Sequence, residues 1–179
     1  RSVNDWATYG TYGVTNLTAY DNGGVIQGAD VTHNVKATTA QTISGDNTIN
    51  SLYLAASGGL NINGYSLTLQ TGGFLCTNNA AITVSGTGGG YFTAGKGDAA
   101  PTALTFFRTQ SSTTWSALIQ DNAAGSGNTV AFVLDGGGSA TFSQTADNSY
   151  SAGTFVNAGT LATTGATANR RFFGSGPVL

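Results

Sequence analysis

Short stretches of alternating apolar and polar residues recur at nearly constant spacing, and this rhythm restricts most strongly how the chain can fold. Between Leu52 and Ile82 the stretches begin at residues 52, 60, 67, 74 and 82, which are seven or eight residues apart. Alternation with a period of two is typical of β-strands that bury one face. Gly-Gly, Asn-Gly, Asp-Asn and Ser-Gly pairs separate the stretches and suit corners that need positive φ angles. The pattern predicts short strands joined by tight corners.

The composition argues against helices. The chain of 179 residues contains no Glu, no Met and only two Lys, whereas it contains 27 Gly. Because good helix formers for exposed surfaces are largely missing, we predict an all-β protein. A chain of this length is expected to form one core.

A right-handed parallel β-helix, or β-solenoid, explains the spacing, since seven or eight residues suit three faces of a coil. Asp-Asn pairs begin at residues 21, 46, 121 and 147, and their intervals fit a coil of about 25 residues. Residues 25–165 would then form about five or six coils. An antiparallel sandwich or jelly roll is the alternative, because it also uses many short strands.

The two ends of the chain differ in composition from its middle. Residues 1–24 are rich in aromatic residues and are predicted to be a cap or docking segment, because open ends of a solenoid need covering. Residues 166–179 are predicted to be a tail or the start of a further coil. No signal peptide is recognisable before Trp6, and we expect the chain to be part of a longer one.

A segment near the C-terminus, "SQTADNSYSAGTFVNAGTL" from Ser143 to Leu161, resembles the autotransporter-associated β-strand repeat of bacterial surface proteins. The matching positions are Asn148, Tyr150, Gly153, Thr154, Val156, Gly159, Thr160 and Leu161. Ala152 departs from the pattern, which has a glycine there. Residues 50–75 look like the segment that commonly precedes this repeat.

The resemblance implies a parallel β-helix that is exported to the bacterial cell surface or beyond, and it brings no catalytic residues. The low content of charged residues, 8%, is also common in extracellular proteins. In the register of the repeat, Phe155 faces outward and Val156 faces inward. We therefore expect a noncatalytic structural or adhesive protein.

Catalytic patterns are weak in this sequence. Hydrolysis of a glycosidic bond needs two carboxylates at a fixed distance, but the chain has no Glu, and most Asp residues adjoin Asn or Gly as in turns. A polysaccharide lyase-like β-helix is the enzymatic alternative, with Arg108 or Lys36 as base. His33 is interpreted as a surface residue and Cys76 as a buried one.

Charge and hydropathy limit the partners. The net charge of -2 and six scattered basic residues do not suit nucleic acid, and no apolar stretch is long enough for a membrane-spanning helix. We predict no cofactor, although stacked corner Asp residues leave calcium as an alternative.

Other copies of the chain are the expected partners, through head-to-tail addition into a filament. The candidate self-assembly contacts are Trp6, Tyr9, Tyr12, Phe155, Arg170, Arg171, Phe172 and Phe173. A surface glycan is the alternative partner, held by an exposed aromatic strip. Candidates for that strip are Tyr91, Phe92, Phe106, Phe107 and Trp115, although packing in the core or cap is the favoured interpretation of these residues.

Overall fold

The computed structural model describes residues 6–10, 13–17, 19–124, 127–165 and 170–179. These residues form strands, corners and one 3-10 turn at Asn22–Gly24, so the all-β prediction is confirmed. In chain order the strands are β1 (Ala7–Gly10), β2 (Gly13–Asn16), β3 (Asn34–Ala37), β4 (Gln41–Thr42), β5 (Asn47–Ile49), β6 (Ser51–Leu54), β7 (Leu60–Asn61), β8 (Ser66–Leu69), β9 (Gly73–Cys76), β10 (Ile82–Ser85), β11 (Tyr91–Ala94), β12 (Thr102–Arg108), β13 (Ser112–Trp115), β14 (Leu118–Ile119), β15 (Val130–Gly136), β16 (Ser139–Phe142), β17 (Gly153–Val156) and β18 (Thr160–Thr163).

Strands β3 to β18 form three parallel sheets, which the chain visits in turn. Sheet 1 has the order β3-β6-β9-β12-β15-β17, sheet 2 the order β4-β7-β10-β13-β16-β18, and sheet 3 the order β5-β8-β11-β14. We call a run of consecutive strands with one strand in each sheet a layer. Parallel pairing throughout these sheets excludes the antiparallel sandwich for this part of the chain, and only β1 and β2 form an antiparallel pair among the described strands.

The register of sheet 1 places one apolar residue of each layer in a single column. Its members, each paired with the next, are Val35, Leu52, Phe74, Phe106, Leu134 and Val156. The distance along the chain between paired members ranges from 17 to 32 residues. The predicted coil length of about 25 residues falls inside this range. The distances vary because the corners differ in length while the strands keep their register.

The core lies between the three sheets and contains a cluster of aromatic rings. Trp115 is fully buried at its centre, and the neighbouring rings are 5.2 to 6.4 Å from it. These neighbours are Phe74, Phe92, Phe106, Phe132 and Phe142. Most of the pairs meet edge to face, the arrangement that ring quadrupoles favour.

Glycine is needed where a corner passes close to the next layer. Gly72 has a φ of 70°, and a Cβ at this position would lie 1.8 Å from the Ala103 carbonyl oxygen. Any side chain would therefore push β9 away from β12. The corner residues thus set how closely the layers stack.

Residues 21–33 form the outermost segment at the N-terminal end of the stack. The buried Ile26 accepts a hydrogen bond on its carbonyl oxygen from Asn47 Nδ2 at 2.6 Å, and its N–H donates to Gln41 Oε1 at 3.2 Å. The end of the core is thus covered by these residues. The β1–β2 hairpin lies elsewhere, because the Trp6 ring rests against Gly73 on the side of sheet 1.

Residues 170–179 cover the C-terminal end of the stack. The N–H of Thr154 donates to the Pro177 carbonyl oxygen at 2.7 Å, and the N–H of Leu179 donates to the Thr154 carbonyl oxygen at 2.9 Å. Phe172 is buried in the core. The segment therefore continues the parallel pairing of sheet 1 beyond β17.

Candidate functional site

The two basic residues considered for a lyase lie in unsuitable surroundings. Arg108 is fully buried because it follows Leu104 and Phe106 on the inward face of β12. The ammonium group of Lys36 lies 4.5 Å from the centre of the Tyr53 ring and 5.1 Å from that of Tyr20. Each of the two basic groups is thus engaged within the chain, Arg108 in the core and Lys36 in cation–π contacts with two tyrosine rings.

The Arg108 guanidinium and the Cys76 thiol form a buried polar pair. Arg108 Nη1 lies 2.8 Å from Cys76 Sγ, and Nη2 donates to the Ala80 carbonyl oxygen at 2.7 Å. Burial raises the pKa of Cys76, and the charge of Arg108 offsets part of this rise. A buried thiol with a raised pKa is a poor nucleophile, so the pair is structural. The prediction that Cys76 is buried is confirmed.

The Asp residues of three Asp-Asn pairs accept backbone hydrogen bonds from the layer that follows. Asp46 accepts from the N–H of Ser66, Asp121 from that of Ser151, and Asp147 from that of Arg171, at 2.8 to 3.1 Å. The hydrogen bonds from the N–H and hydroxyl of Ser66 lower the pKa of Asp46. The carboxylates therefore join layers, whereas the sequence predicts Asp side chains that bond within their own turns.

The Asn residues of the same pairs bond to the layer that precedes. Asn122 Nδ2 donates to the carbonyl oxygens of Ala94 at 3.2 Å and Gly95 at 3.0 Å, and Asn148 Oδ1 accepts from the N–H of Ile119 at 2.8 Å. An Asp-Asn pair thus clamps three successive layers. Among the described residues no group of three His, Cys, Asp or Glu could hold a metal ion.

His33 takes part in a turn. The N–H of Asp30 donates to His33 Nδ1 at 2.8 Å, and Asp30 Oδ1 accepts from the Thr32 hydroxyl at 2.7 Å. The hydrogen bonds from Thr32 lower the pKa of Asp30. The half-buried His33 therefore shapes the entry to β3.

Three of the five aromatic residues considered for a glycan-binding strip lie in the core, as the favoured interpretation predicts. Phe92, Phe106 and Trp115 are fully buried, because they alternate inward on their strands and fill the core. Tyr91 and Phe107 are half-buried. These five residues do not form an exposed surface.

The candidate self-assembly contacts lie in different places. Phe172 is buried, and the half-buried Phe173 packs against the core, with its ring 6.0 Å from that of Phe142. Arg171 is exposed, its Nε 3.5 Å from Asp147 Oδ2, and Arg170 is half-buried. Phe172 and Phe173 therefore pack against the core of their own chain.

The remaining candidates lie in β17 and in the N-terminal segment. Phe155 pairs with Val133 on the outer face of sheet 1 and is half-buried, while Val156 pairs with the inward Leu134. Phe155 faces outward as expected, whereas Val156, which was expected to face inward, is 36% exposed at the C-terminal end of the stack. Trp6 is half-buried on sheet 1, the side chain of Tyr9 in β1 is not described, and Tyr12 lies outside the described residues.

Exposed large apolar side chains are concentrated at the two ends of the stack. Val25 is 47% exposed and Val31 is 42% exposed in the segment 21–33, which lies beyond β3. At the other end the exposed residues are Val156, Val178 and Leu179, the last being 75% exposed. Tyr65 is the one other large apolar residue exposed in the described part of the chain. The sequence does not indicate that Val25, Val31 and Val178 are exposed, because a single valine near a turn gives no periodic signal.

A groove of about 280 Å³ lies where the N-terminal hairpin meets sheet 1. We call it the Trp6 groove. It is lined by Trp6, Leu17, Asn34, Asn50, Ser51, Thr71 and Gly73. All of these residues are uncharged.

Comparison of the chain with protein-family models, with curated proteins and with solved structures gives no significant match. Among the described residues no helix is long and apolar enough to cross a membrane.

Proposed function

We propose that the three sheets wind into one right-handed parallel β-helix of about five or six coils, which serves as a noncatalytic structural segment. Right-handed crossovers are strongly favoured between parallel strands of one sheet. The polar side-chain hydrogen bonds between layers and the burial of Cys76 and Arg108 support a structural role. Because residues 143–161 resemble the autotransporter-associated repeat, we propose that this segment lies outside a bacterial cell or at its surface.

The function that we favour is end-to-end assembly into a filament. The observation that carries it is the exposure of Val25 and Val31 at one end and of Val178 and Leu179 at the other. Exposed apolar side chains that cluster together mark interaction surfaces. Stacking one end on the other would bury both clusters.

Parallel sheets suit this mode of assembly. The terminal strands β4 and β18 of sheet 2 have the same orientation, so a second copy can continue the sheet without reversing its direction. Such a contact joins two different surfaces and leaves a free surface of each kind on the growing assembly. Repeated addition then gives a filament.

Two aspartate substitutions test the proposal, one at each end. Val25→Asp should block the N-terminal end and Val178→Asp the C-terminal end, because each would bury a charge in the contact. We expect the unchanged chain to form filaments in electron micrographs as its concentration rises, and each variant alone to stay monomeric in sedimentation. An equimolar mixture of the two variants should form dimers but nothing longer, since one intact surface remains on each partner.

Tyr65→Asp is the matched control, because Tyr65 is 39% exposed but lies away from both ends. It should assemble like the unchanged chain. The proposal is wrong if the unchanged chain stays monomeric at every concentration, or if both end variants assemble normally while their circular dichroism shows an intact fold.

A further inference from the structure

We propose that the Trp6 groove binds one neutral sugar residue. The groove lies on the side of sheet 1 and spans β3, β6 and β9, whereas the exposed valines of the filament proposal lie in residues 21–33 and 170–179. Three features support this proposal: the close packing of the Trp6 ring, the polar floor of the groove and the absence of charge in its lining.

The Trp6 ring packs so closely over Gly73 that a larger residue there would have to displace it. A Cβ at Gly73 would lie 3.1 Å from Trp6 Cη2 and 3.2 Å from Cζ2, closer than ordinary packing contacts. The ring is also fixed through its backbone, since the Trp6 carbonyl oxygen accepts a hydrogen bond from the N–H of Leu17 at 2.6 Å. Trp6 therefore forms a positioned apolar wall of the groove.

The floor of the groove is a network of amides and hydroxyls. Asn34 Oδ1 accepts hydrogen bonds from Asn50 Nδ2 at 2.8 Å and from the Ser51 hydroxyl at 2.6 Å. The Thr71 hydroxyl donates to the Asn50 carbonyl oxygen at 2.7 Å. These bonds fix the rotamers of the polar groups before any ligand arrives, which reduces the entropy lost on binding.

An aromatic wall beside oriented amides and hydroxyls matches the chemistry of a sugar. A pyranose ring has an apolar face of C–H groups, which can pack on an indole, and an edge of hydroxyls, which both donate and accept. The uncharged lining gives no ion pair to a phosphate, a carboxylate or an ammonium group. The volume of about 280 Å³ is near the lower limit of small-molecule sites, so one sugar ring fits better than a longer chain.

Titration with free neutral monosaccharides tests the proposal. The probes are glucose, galactose, mannose and N-acetylglucosamine, and the readouts are tryptophan emission and saturation-transfer NMR. Trp115 is fully buried, so a change in emission should arise at the half-buried Trp6. We expect at least one sugar to bind with a Kd of about 1–10 mM, since a single ring makes few contacts.

Substitutions in the groove should separate this site from other surfaces. Trp6→Ala should abolish the NMR signal, and Gly73→Ala should weaken binding at least tenfold by displacing the ring, with circular dichroism confirming the fold of each variant. Tyr65→Ala, which removes an exposed aromatic residue elsewhere, should bind like the unchanged chain, as should Val178→Asp. Absence of any response at about 100 mM sugar, or unchanged binding by folded Trp6→Ala, would overturn the proposal.

Discussion

Tyr150 is a fully buried residue whose polar atom is satisfied inside the chain. Its hydroxyl lies 2.5 Å from Thr154 Oγ1, which in turn donates to the Phe173 carbonyl oxygen at 3.1 Å. Burial raises the pKa of Tyr150 to about 12, from an ordinary value of 10. The folded state therefore holds this proton more tightly than the unfolded chain does.

This difference predicts how Tyr150 contributes to stability at high pH. Because the pKa is raised on folding, the contribution is fully present below pH 10 and is lost as the pH rises toward 12. Tyr150→Phe should be about 1 kcal/mol less stable than the unchanged chain at pH 7, through the lost hydrogen bond. Its stability should then fall less between pH 10 and pH 12, as measured by urea unfolding.

Tyr65→Phe serves as the control, since Tyr65 is partly exposed. Its alkaline unfolding should match that of the unchanged chain. Equal pH dependence of the Tyr150→Phe variant and the unchanged chain would contradict the assignment of the shift to Tyr150.

Single residues show what the alternation of a strand can and cannot predict. The outward direction of Phe155 follows from counting by twos from Thr154. The burial of Arg108 could have been found in the same way, because it shares a face with Leu104 and Phe106. An arginine is normally expected on the surface, and sequence analysis therefore treated it as a candidate base. Its hydrogen-bond acceptors come from distant parts of the chain, which no local pattern indicates.

At the scale of secondary-structure elements, the Asp-Asn corners account for much of the polar contact between layers. Asn122 is buried, and its side chain bonds to the preceding layer and also accepts from the N–H of Ala124 at 3.0 Å. Loss of the amide would leave the Ala94 and Gly95 carbonyl oxygens without this donor. A carbonyl oxygen without a hydrogen-bond donor lowers the stability of the fold when water cannot reach it.

Asn122→Ala should therefore destabilise the fold by about 2–3 kcal/mol in urea unfolding. Asn157→Ala is the matched control, because Asn157 is exposed and adjoins β17. The control should differ from the unchanged chain by less than about 0.5 kcal/mol. Equal stabilities of the two variants would show that the corner amide is dispensable.

Strand positions were predictable where the alternation is long enough to be read. The five starts expected between residues 52 and 82 each fall within one residue of the observed β6 to β10. The alternation in Val31-Thr-His-Asn-Val35 predicts an extended stretch, but Asp30 holds Thr32 in a turn, and β3 begins only at Asn34. Two-residue strands such as β4 and β14 are too short to give a pattern.

At the scale of the whole molecule, stability should depend little on charge. Only 8% of residues are charged, and the ion pair of Arg171 with Asp147 is exposed. Exposed pairs contribute little and are screened by salt. Burial of apolar side chains and hydrogen bonding between layers carry the fold instead.

We expect the free energy of unfolding to change by less than about 0.5 kcal/mol when sodium chloride rises from about 0.02 to 0.3 M. Urea unfolding at each salt concentration measures this change, because urea itself is uncharged. A loss of more than about 1 kcal/mol would mean that ion pairs matter more than the geometry indicates.

The parallel arrangement of strands could be predicted, whereas the position of the N-terminal hairpin could not. Seven- or eight-residue spacing suits three faces, and the order of the sheets agrees with it. Nothing in residues 1–24 indicates which surface Trp6 contacts. Gly73, which makes room for that ring, is one glycine among 27.

The variable corner length in sheet 1 has a consequence for how such a chain can be redesigned. Phe74 pairs with Phe106 after 32 residues, although Val35 pairs with Leu52 after only 17. The longer path leaves room for the segment 95–101, where Gly97 adjoins Ala124 and the N–H of Ala99 donates to Asn128 Oδ1. A foreign peptide inserted between these loop residues would project from one edge without altering the spacing of the strands, so the scaffold could display epitopes at regular intervals.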